Sequence, residues 1–272
     1  MPLILTPRSA ATAPLAIDLA GIVPQRVAPL SLAEINRLPV RADGRRWYLG
    51  EIFTAQGDPA DLVIECRGDF SRVHRVAAGM TAGVMRIAGS VGRHAGEGMS
   101  GGRLEIAGDA GDWLACELAG GDVFVAGDAG DNVAAALPGS VVGMRGGRVI
   151  VAGGVGHLLA ARLRRGVVAV GTGCGDAAGF EMRAGTVVVG GEFGSQPGLG
   201  MRRGSVISLT DSPRPAAMFQ PGSAWRPPFL HLLFRSLAAA GFAPAGAIHP
   251  GNWRQWHGDM LAGGRGELLH PA

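Results

Sequence analysis

The chain has 272 residues, 46 of them glycine, a net charge of +3 and no lysine among its 25 basic residues. The glycines follow no strict every-third pattern, which excludes collagen, and 47% hydrophobic against 17% charged residues excludes a disordered chain. Within residues 79–204 lie 33 of the glycines, and an excess confined to one block points to a repeat architecture.

Residues 1–78 read as an N-terminal cap. The chain does not open on a basic stretch followed by an apolar core, so no secretory signal is expected. Trp47–Phe53 and Leu62–Cys66 read as strands, the second an irregular leading turn of the repeat block. Cys66, Cys116 and Cys174 share no short spacing, which argues against a disulfide framework or a CxxC metal knuckle and fits a reducing cytoplasm.

Residues 79–209 carry a 19-residue period. Taking the second residue of each small-Gly pair as phase zero gives Gly83, Gly102, Gly121, Gly147, Gly166, Gly185 and Gly204, with one longer step of 26 between Gly121 and Gly147. The extra seven residues are expected at Pro138–Met144. Glycine recurs six and nine residues on, as in Gly108 and Gly111, and these are expected to be corners that need positive φ. Thirteen residues on, only Gly or Ala occurs, and sixteen on, only Leu or Met, with Leu137 filling that place in the long turn. Between phase zero and the next glycine, apolar residues at +2 and +4 (Met85 and Ile87, Leu104 and Ile106, Val123 and Val125, onward) share one face of a strand. Like residues then stack on like from turn to turn about 4.8 Å apart, the pattern of a β-solenoid. A left-handed hexapeptide acyltransferase coil, with turns of about 18 residues in three six-residue units, does not divide this way.

Residues 210–272 change composition. Thr210–Pro228 is a proline-rich connector, and Phe229–Ala240 places Phe229, Leu232, Leu233 and Leu237 at helical spacing after a proline suited to a helix start. The segment reads as a structural cap or as a docking helix for another subunit. Ser236–Trp253, the longest uncharged stretch, is broken by Pro244 and Pro250 and is not a membrane span.

No catalytic constellation emerges. His74, His94 and His157 lie in or near the coil without a ligand at i+2 or i+4, so no metal site is expected. Asp109 and Asp128 share one phase, and Asp112, Asp131 and Asp176 another; they read as solvated corner residues. Gly171-Thr172-Gly173 is followed by no helix, which argues against a dinucleotide loop. Two positions before phase zero, however, the later turns read Arg145, Arg164, Arg183 and Arg202, where earlier turns have Thr81, Ser100 and Ala119. Four guanidiniums about 4.8 Å apart would repel by roughly 3 kcal/mol per neighbouring pair at an effective dielectric of 20. They can splay into solvent or meet acids such as Glu181, dock on an acidic partner, or bind a polyanionic chain; planar carboxylates suit arginine. Nucleic acid is disfavoured because no aromatics interleave to stack bases. The outward strand position runs Arg86, Glu105, Phe124, Ile150, Ala169, Val188, Ile207, so an apolar face on the later turns is a candidate subunit interface, with Phe229 and Leu233 of the following helix.

The repeat, the long step ending in Gly143-Met144-Arg145-Gly146-Gly147, the segments Gly50-Glu51-Ile52-Phe53 and Gly68-Asp69-Phe70-Ser71-Arg72-Val73, and the tail Gly258-Asp259-Met260 with Gly263-Gly264-Arg265-Gly266-Glu267 resemble the family of formylmethanofuran dehydrogenase C subunits. The resemblance covers roughly residues 45–270. The coil is also similar to the C-terminal domain of glutamate synthase, whose flavin and iron–sulfur machinery this chain lacks. Trp113–Glu117 departs from the family's short glycine-containing turn. The resemblance implies a right-handed parallel β-helix with an N-terminal cap and a C-terminal helical cap, serving as a non-catalytic structural subunit with metal sites in other subunits. The composition favours the bacterial formyltransferase/hydrolase complex. There an amidohydrolase-like and a formyltransferase subunit pass a formyl group between tetrahydromethanopterin and methylofuran and release formate. The resemblance also makes the Arg145–Arg202 row a candidate cradle for the glutamate-rich tail of methylofuran. The other classes kept open are a stand-alone binding scaffold and a coil-based acyltransferase.

Overall fold

Leu3 and Leu5 are fully buried on one side of β1 (Leu3–Pro7), and this alternation lets the strand close the start of the main sheet. A computed structural model describes residues 1–8, 16–210, 215–244 and 251–272. Residues 211–214 of the proline-rich connector and residues 245–250 of the uncharged stretch, Pro250 among them, therefore fall outside the described residues. After β1 come β2 (Ile17–Asp18), the short helices α1 (Pro24–Val27) and α2 (Leu32–Asn36), then β3 (Pro39–Ala42) and β4 (Arg45–Tyr48). Trp47–Phe53 is not one strand: α3 (Leu49–Ile52) interrupts it before β5 (Phe53–Gln56). Glu51 reaches back to accept the Tyr48 N–H at 2.7 Å, which starts a helical turn where side-chain alternation alone reads as strand. β6 (Val63–Cys66) and β7 (Val73–His74) complete this region. β2, β3, β4 and β7 form a small sheet, while β1 lies between β5 and β6 at one end of the large one.

The coil strands are β8 (Val84–Ile87), β9 (Arg103–Ile106), β10 (Asp122–Val125), β11 (Arg148–Val151), β12 (Val167–Val170), β13 (Thr186–Val189) and β14 (Arg203–Ser208). They pair in parallel with phase matched to phase, as in Leu104 with Val123 and Val123 with Val149. A second ladder of bridges climbs from Phe70 through Val91, Ala110, Ala129, Val155 and Cys174 to Phe193. The result is a mostly parallel 13-stranded sheet in a β-helix-like coil. Its interior includes a column of fully buried Met80, Met99, Leu118, Met144, Leu163, Met182 and Met201.

Met144, not Leu137, fills that column in the long turn. Ala136 N–H donates to Ala161 O at 3.1 Å, as Glu117 does to Ala135 one turn earlier, so the excursion occupies residues 137–143. Both Leu137 and Met144 satisfy the apolar pattern; the one three residues before the phase-zero glycine packs inward, as Met99 does before Gly102.

The corner glycines divide into two kinds. Phase-zero glycines have positive φ, from 79° at Gly102 to 115° at Gly166. Those at +6 and +9 do not. They are glycine because turns stack so closely that a Cβ would strike the turn beneath: at Gly111 it would lie 2.9 Å from the Gly92 carbonyl carbon and 3.0 Å from Arg93 N. The left-handed conformations cluster instead at +11, +13 and +15, largely on residues with side chains such as Trp113, Ala115 and Glu117.

The C-terminal region seals the far end. β15 (Gln220–Trp225) pairs antiparallel with β16 (Trp253–Gly258), which pairs antiparallel with β17 (Arg265–Pro271). β17 in turn adds parallel to β14, Val206 facing Leu268, and so protects the last edge of the coil. Between β15 and β16 lies α4 (Pro228–Ala239), begun by a proline at its first position.

Candidate functional site

The sheet's outward face is where the sequence and the structure part company. Ile150, Val188 and Ile207 are not an open interface: with Ala169 they lie 0–3% exposed beneath Leu230, Phe234, Leu237 and Phe242 from α4 and the turn after it, with Trp253 and Leu269 alongside. The chain satisfies its own apolar face. Phe124 and Leu233 are partly buried against the same cluster. On the other side of α4, Phe229 is 38% and Leu232 68% exposed, with Trp225 nearby in sequence also exposed. Around α4, the exposed apolar side chains therefore belong to the helix rather than to the sheet face it covers.

Each arginine of the row is fixed by its own backbone. Arg145 N–H donates to Leu118 O at 2.6 Å, Arg164 to Met144 O at 2.9 Å, Arg183 to Leu163 O at 2.8 Å and Arg202 to Met182 O at 2.7 Å. All four side chains are exposed, and among the described residues none has an ion-pair partner. Glu181 does not neutralise the row: it pairs with Arg162 at 2.8 Å. Arg148 likewise pairs with Asp122 at 3.0 Å. At the closing edge Arg203 lies opposite Arg265 in the β14–β17 register, adding positive charge beside the row. Planar guanidiniums of this kind suit carboxylate groups, which they can bind in bidentate fashion.

The aspartates are not merely solvated. They form side-chain ladders that tie one turn to the next. Ser90 Oγ accepts from Asp109 N–H (3.0 Å), Asp109 Oδ1 from Asp128 N–H (2.9 Å) and Asp128 Oδ1 from Gly154 N–H (2.7 Å). In the neighbouring column His74 Nδ1 accepts from Arg93, Asp112 from Asp131, Asp131 from His157, His157 Nδ1 from Asp176 and Asp176 from Ser195. Hydrogen bonding from Ser195 holds the Asp176 carboxyl below the usual range. Burial, helped by the positive charges of Arg93 and His94, pushes the His74 imidazole down.

One cluster has its members at spacings other than i+2 and i+4. His94 Nδ1 lies 3.1 Å from Glu97 Oε2, and Cys116 Sγ lies 3.8 Å from the same nitrogen. The signal was present as a sum of two spacings: Glu97 follows His94 by three residues, and Cys116 occupies the phase of Glu97 one 19-residue turn later. Burial and the adjacent carboxylates push the Cys116 thiol up to about 12. Cys66 and Cys174 are also buried and raised by burial. Among the described residues no helix is long and apolar enough to cross a membrane.

The stacked parallel turns, the self-capped outer face and the exposed arginine row define a β-helix-like coil protein with a cationic edge. No protein-family model matches the chain. Over 78 residues it is 37% identical to the C subunit of the formyltransferase/hydrolase complex Fhc of Methylorubrum extorquens, a match covering 28% of this chain and 29% of that protein. Over 95 residues it is 34% identical to the C subunit of the molybdenum-containing formylmethanofuran dehydrogenase 1 of Methanosarcina barkeri, covering 34% and 31%. The matched stretches thus span less than a third of these curated relatives. The structural correspondence is complete: a chain in the crystal structure of the Methylorubrum extorquens formyltransferase/hydrolase complex with methylofuran aligns at a TM-score of 0.91 and 33% identity, over 99% of both chains. The chain belongs to the family of C subunits found in formyltransferase/hydrolase and formylmethanofuran dehydrogenase complexes.

Proposed function

We propose that this chain is the non-catalytic structural subunit of a formyltransferase/hydrolase complex acting in cytoplasmic, tetrahydromethanopterin-linked oxidation of formaldehyde to formate. The single observation that carries this reading is the full-length alignment, at 33% identity, with a chain of such a complex. The coil is right-handed in this reading, residues 79–209 form the scaffold, and residues 1–78 and 210–272 are its caps. An amidohydrolase-like and a formyltransferase subunit are the partners and hold the metal and formyl-transfer chemistry. The exposed face of α4 around Phe229 and Leu232 supplies a docking surface.

Arg145, Arg164, Arg183 and Arg202 hold the carboxylate-rich tail of methylofuran. Support for this comes from their exposure, their register and the lack of neutralising partners among the described residues. Affinity purification of the tagged chain from its native cell tests the assembly: an amidohydrolase and a formyltransferase should co-elute, and recovery of a lone monomer would favour a stand-alone binding module instead. The double variant Arg164→Ala with Arg183→Ala should retain at least tenfold less methylofuran at physiological salt. Retention equal to that of the unaltered complex rejects the cradle and leaves the assembly reading intact.

A further inference from the structure

The early turns carry a set of donors that neither the coil nor the arginine row explains. His94, Glu97 and Cys116 each offer one ligand atom, and the three atoms lie within 4.8 Å of one another. A tetrahedral zinc ion with ordinary bond lengths requires separations of about 3.3 Å between nitrogen and oxygen donors and about 3.6 Å between nitrogen and sulfur donors. The observed 3.1 Å and 3.8 Å bracket those edges. The surroundings are those of a supported ligand set. Arg75 Nη2 binds the other carboxylate oxygen, Glu97 Oε1, at 3.3 Å, which orients the carboxylate and leaves Oε2 facing the histidine. Trp113 lies nearly parallel to the His94 ring, 7° between planes with centroids 6.0 Å apart.

We propose that His94 Nδ1, Glu97 Oε2 and Cys116 Sγ bind one divalent cation of the zinc class, with a fourth position open to water. On binding, the thiol releases its proton to solvent, and His94 carries its single proton on Nε2. One thiolate and one carboxylate then balance the cation's two charges, and sulfur, nitrogen and oxygen donors together favour zinc over magnesium or calcium. The site lies wholly within this chain and does not rest on the assembly reading.

Cobalt(II) is the probe, because a cobalt–thiolate bond gives a near-ultraviolet charge-transfer band that nitrogen and oxygen ligands do not. The full-length chain, stripped with chelator and reduced, is titrated with cobalt(II) and then with zinc(II). The expected result is one cobalt per chain with that band, displaced by zinc, and absent in Cys116→Ser. His94→Gln should keep a weakened band, with apparent affinity at least tenfold lower. Circular dichroism establishes that each variant is folded, and a zinc-dependent rise in melting temperature, smaller in His94→Gln and absent in Cys116→Ser, gives a second readout. Absence of the band in the folded unaltered chain, or its persistence in Cys116→Ser, overturns the proposal; in that case Arg75, Glu97 and His94 form an ion-pair network only.

Discussion

At the scale of single residues, the coil uses one device with interchangeable parts: a side-chain acceptor that captures the backbone N–H one turn later. Asp112, Asp131 and Asp176 do this as carboxylates, whereas His74 does it through Nδ1, 3.0 Å from Arg93 N. The substitution has a pH consequence. An imidazole accepts through Nδ1 only while that nitrogen is unprotonated, and burial pushes the His74 pKa below its ordinary value. A depressed pKa in the folded state favours the neutral form, so its stabilisation is present above about pH 6.5 and is lost as pH falls through the folded value. The melting temperature should therefore decline on acidification from about pH 6.5 to about pH 5. His74→Asn, which offers an amide oxygen to the same N–H, should remove much of that slope while changing the melting temperature at about pH 8 by no more than about 4 °C. An identical slope in the variant would assign the decline to other groups. Asp176 contributes in the same direction but at lower pH, because its depressed pKa starts from a carboxylate value.

At the scale of elements, the apolar outer face and α4 explain one another. Ile150, Val188 and Ile207 were legible in the sequence as an apolar column, and Leu237 as part of an amphipathic helix; that each covers the other was not. Periodicity reports which face is apolar and is silent on whether the covering surface comes from the same chain, since the connector's path carries no pattern. The same limit hid the true member of the long turn, where Leu137 and Met144 are equally apolar and only stacking on Leu118 distinguishes them. It also hid the cluster of His94, Glu97 and Cys116, which requires reading across turns rather than along the chain. The strands and the arginine row were legible because 19-residue stacking turns a one-dimensional phase into a column. Two substitutions separate the faces of the helix. Ile207→Asp buries an unpaired carboxylate and should destabilise the isolated chain by about 3 kcal/mol or more, measured by chemical unfolding. Leu232→Glu alters a side chain that is 68% exposed and should shift stability by less than about 0.5 kcal/mol while weakening co-purification with partner subunits. Unimpaired assembly in Leu232→Glu would remove this face from the interface.

At the scale of the molecule, a stacked coil has to terminate twice, because each end strand offers unpaired backbone to a neighbour. The first end is finished by β1, which takes the place beneath β6 and is itself paired with β5, while Phe53 and Phe70 stack 5.5 Å apart in the core. The other end is finished from a distance: β17 joins β14 after a detour through α4, and Glu267 of β17 accepts both the Ser205 hydroxyl at 2.5 Å and the Gln255 amide at 2.7 Å. The detour serves two purposes, since the chain that travels out to form α4 returns as the sealing strand. Removing residues 210–272 therefore uncovers two surfaces together, the β14 edge and the apolar column at Ile150, Ala169, Val188 and Ile207. The truncated chain should form sedimenting aggregates or strand-mediated oligomers at micromolar concentration. A variant that keeps β17 but carries charged residues in place of Leu230 and Phe234 should expose only the apolar column, retain the protected β14 edge and bind a hydrophobic dye without forming ordered oligomers. Light scattering with dye fluorescence distinguishes the two defects, and a monomeric, dye-silent truncation would mean that the coil terminates without help from its C-terminal region.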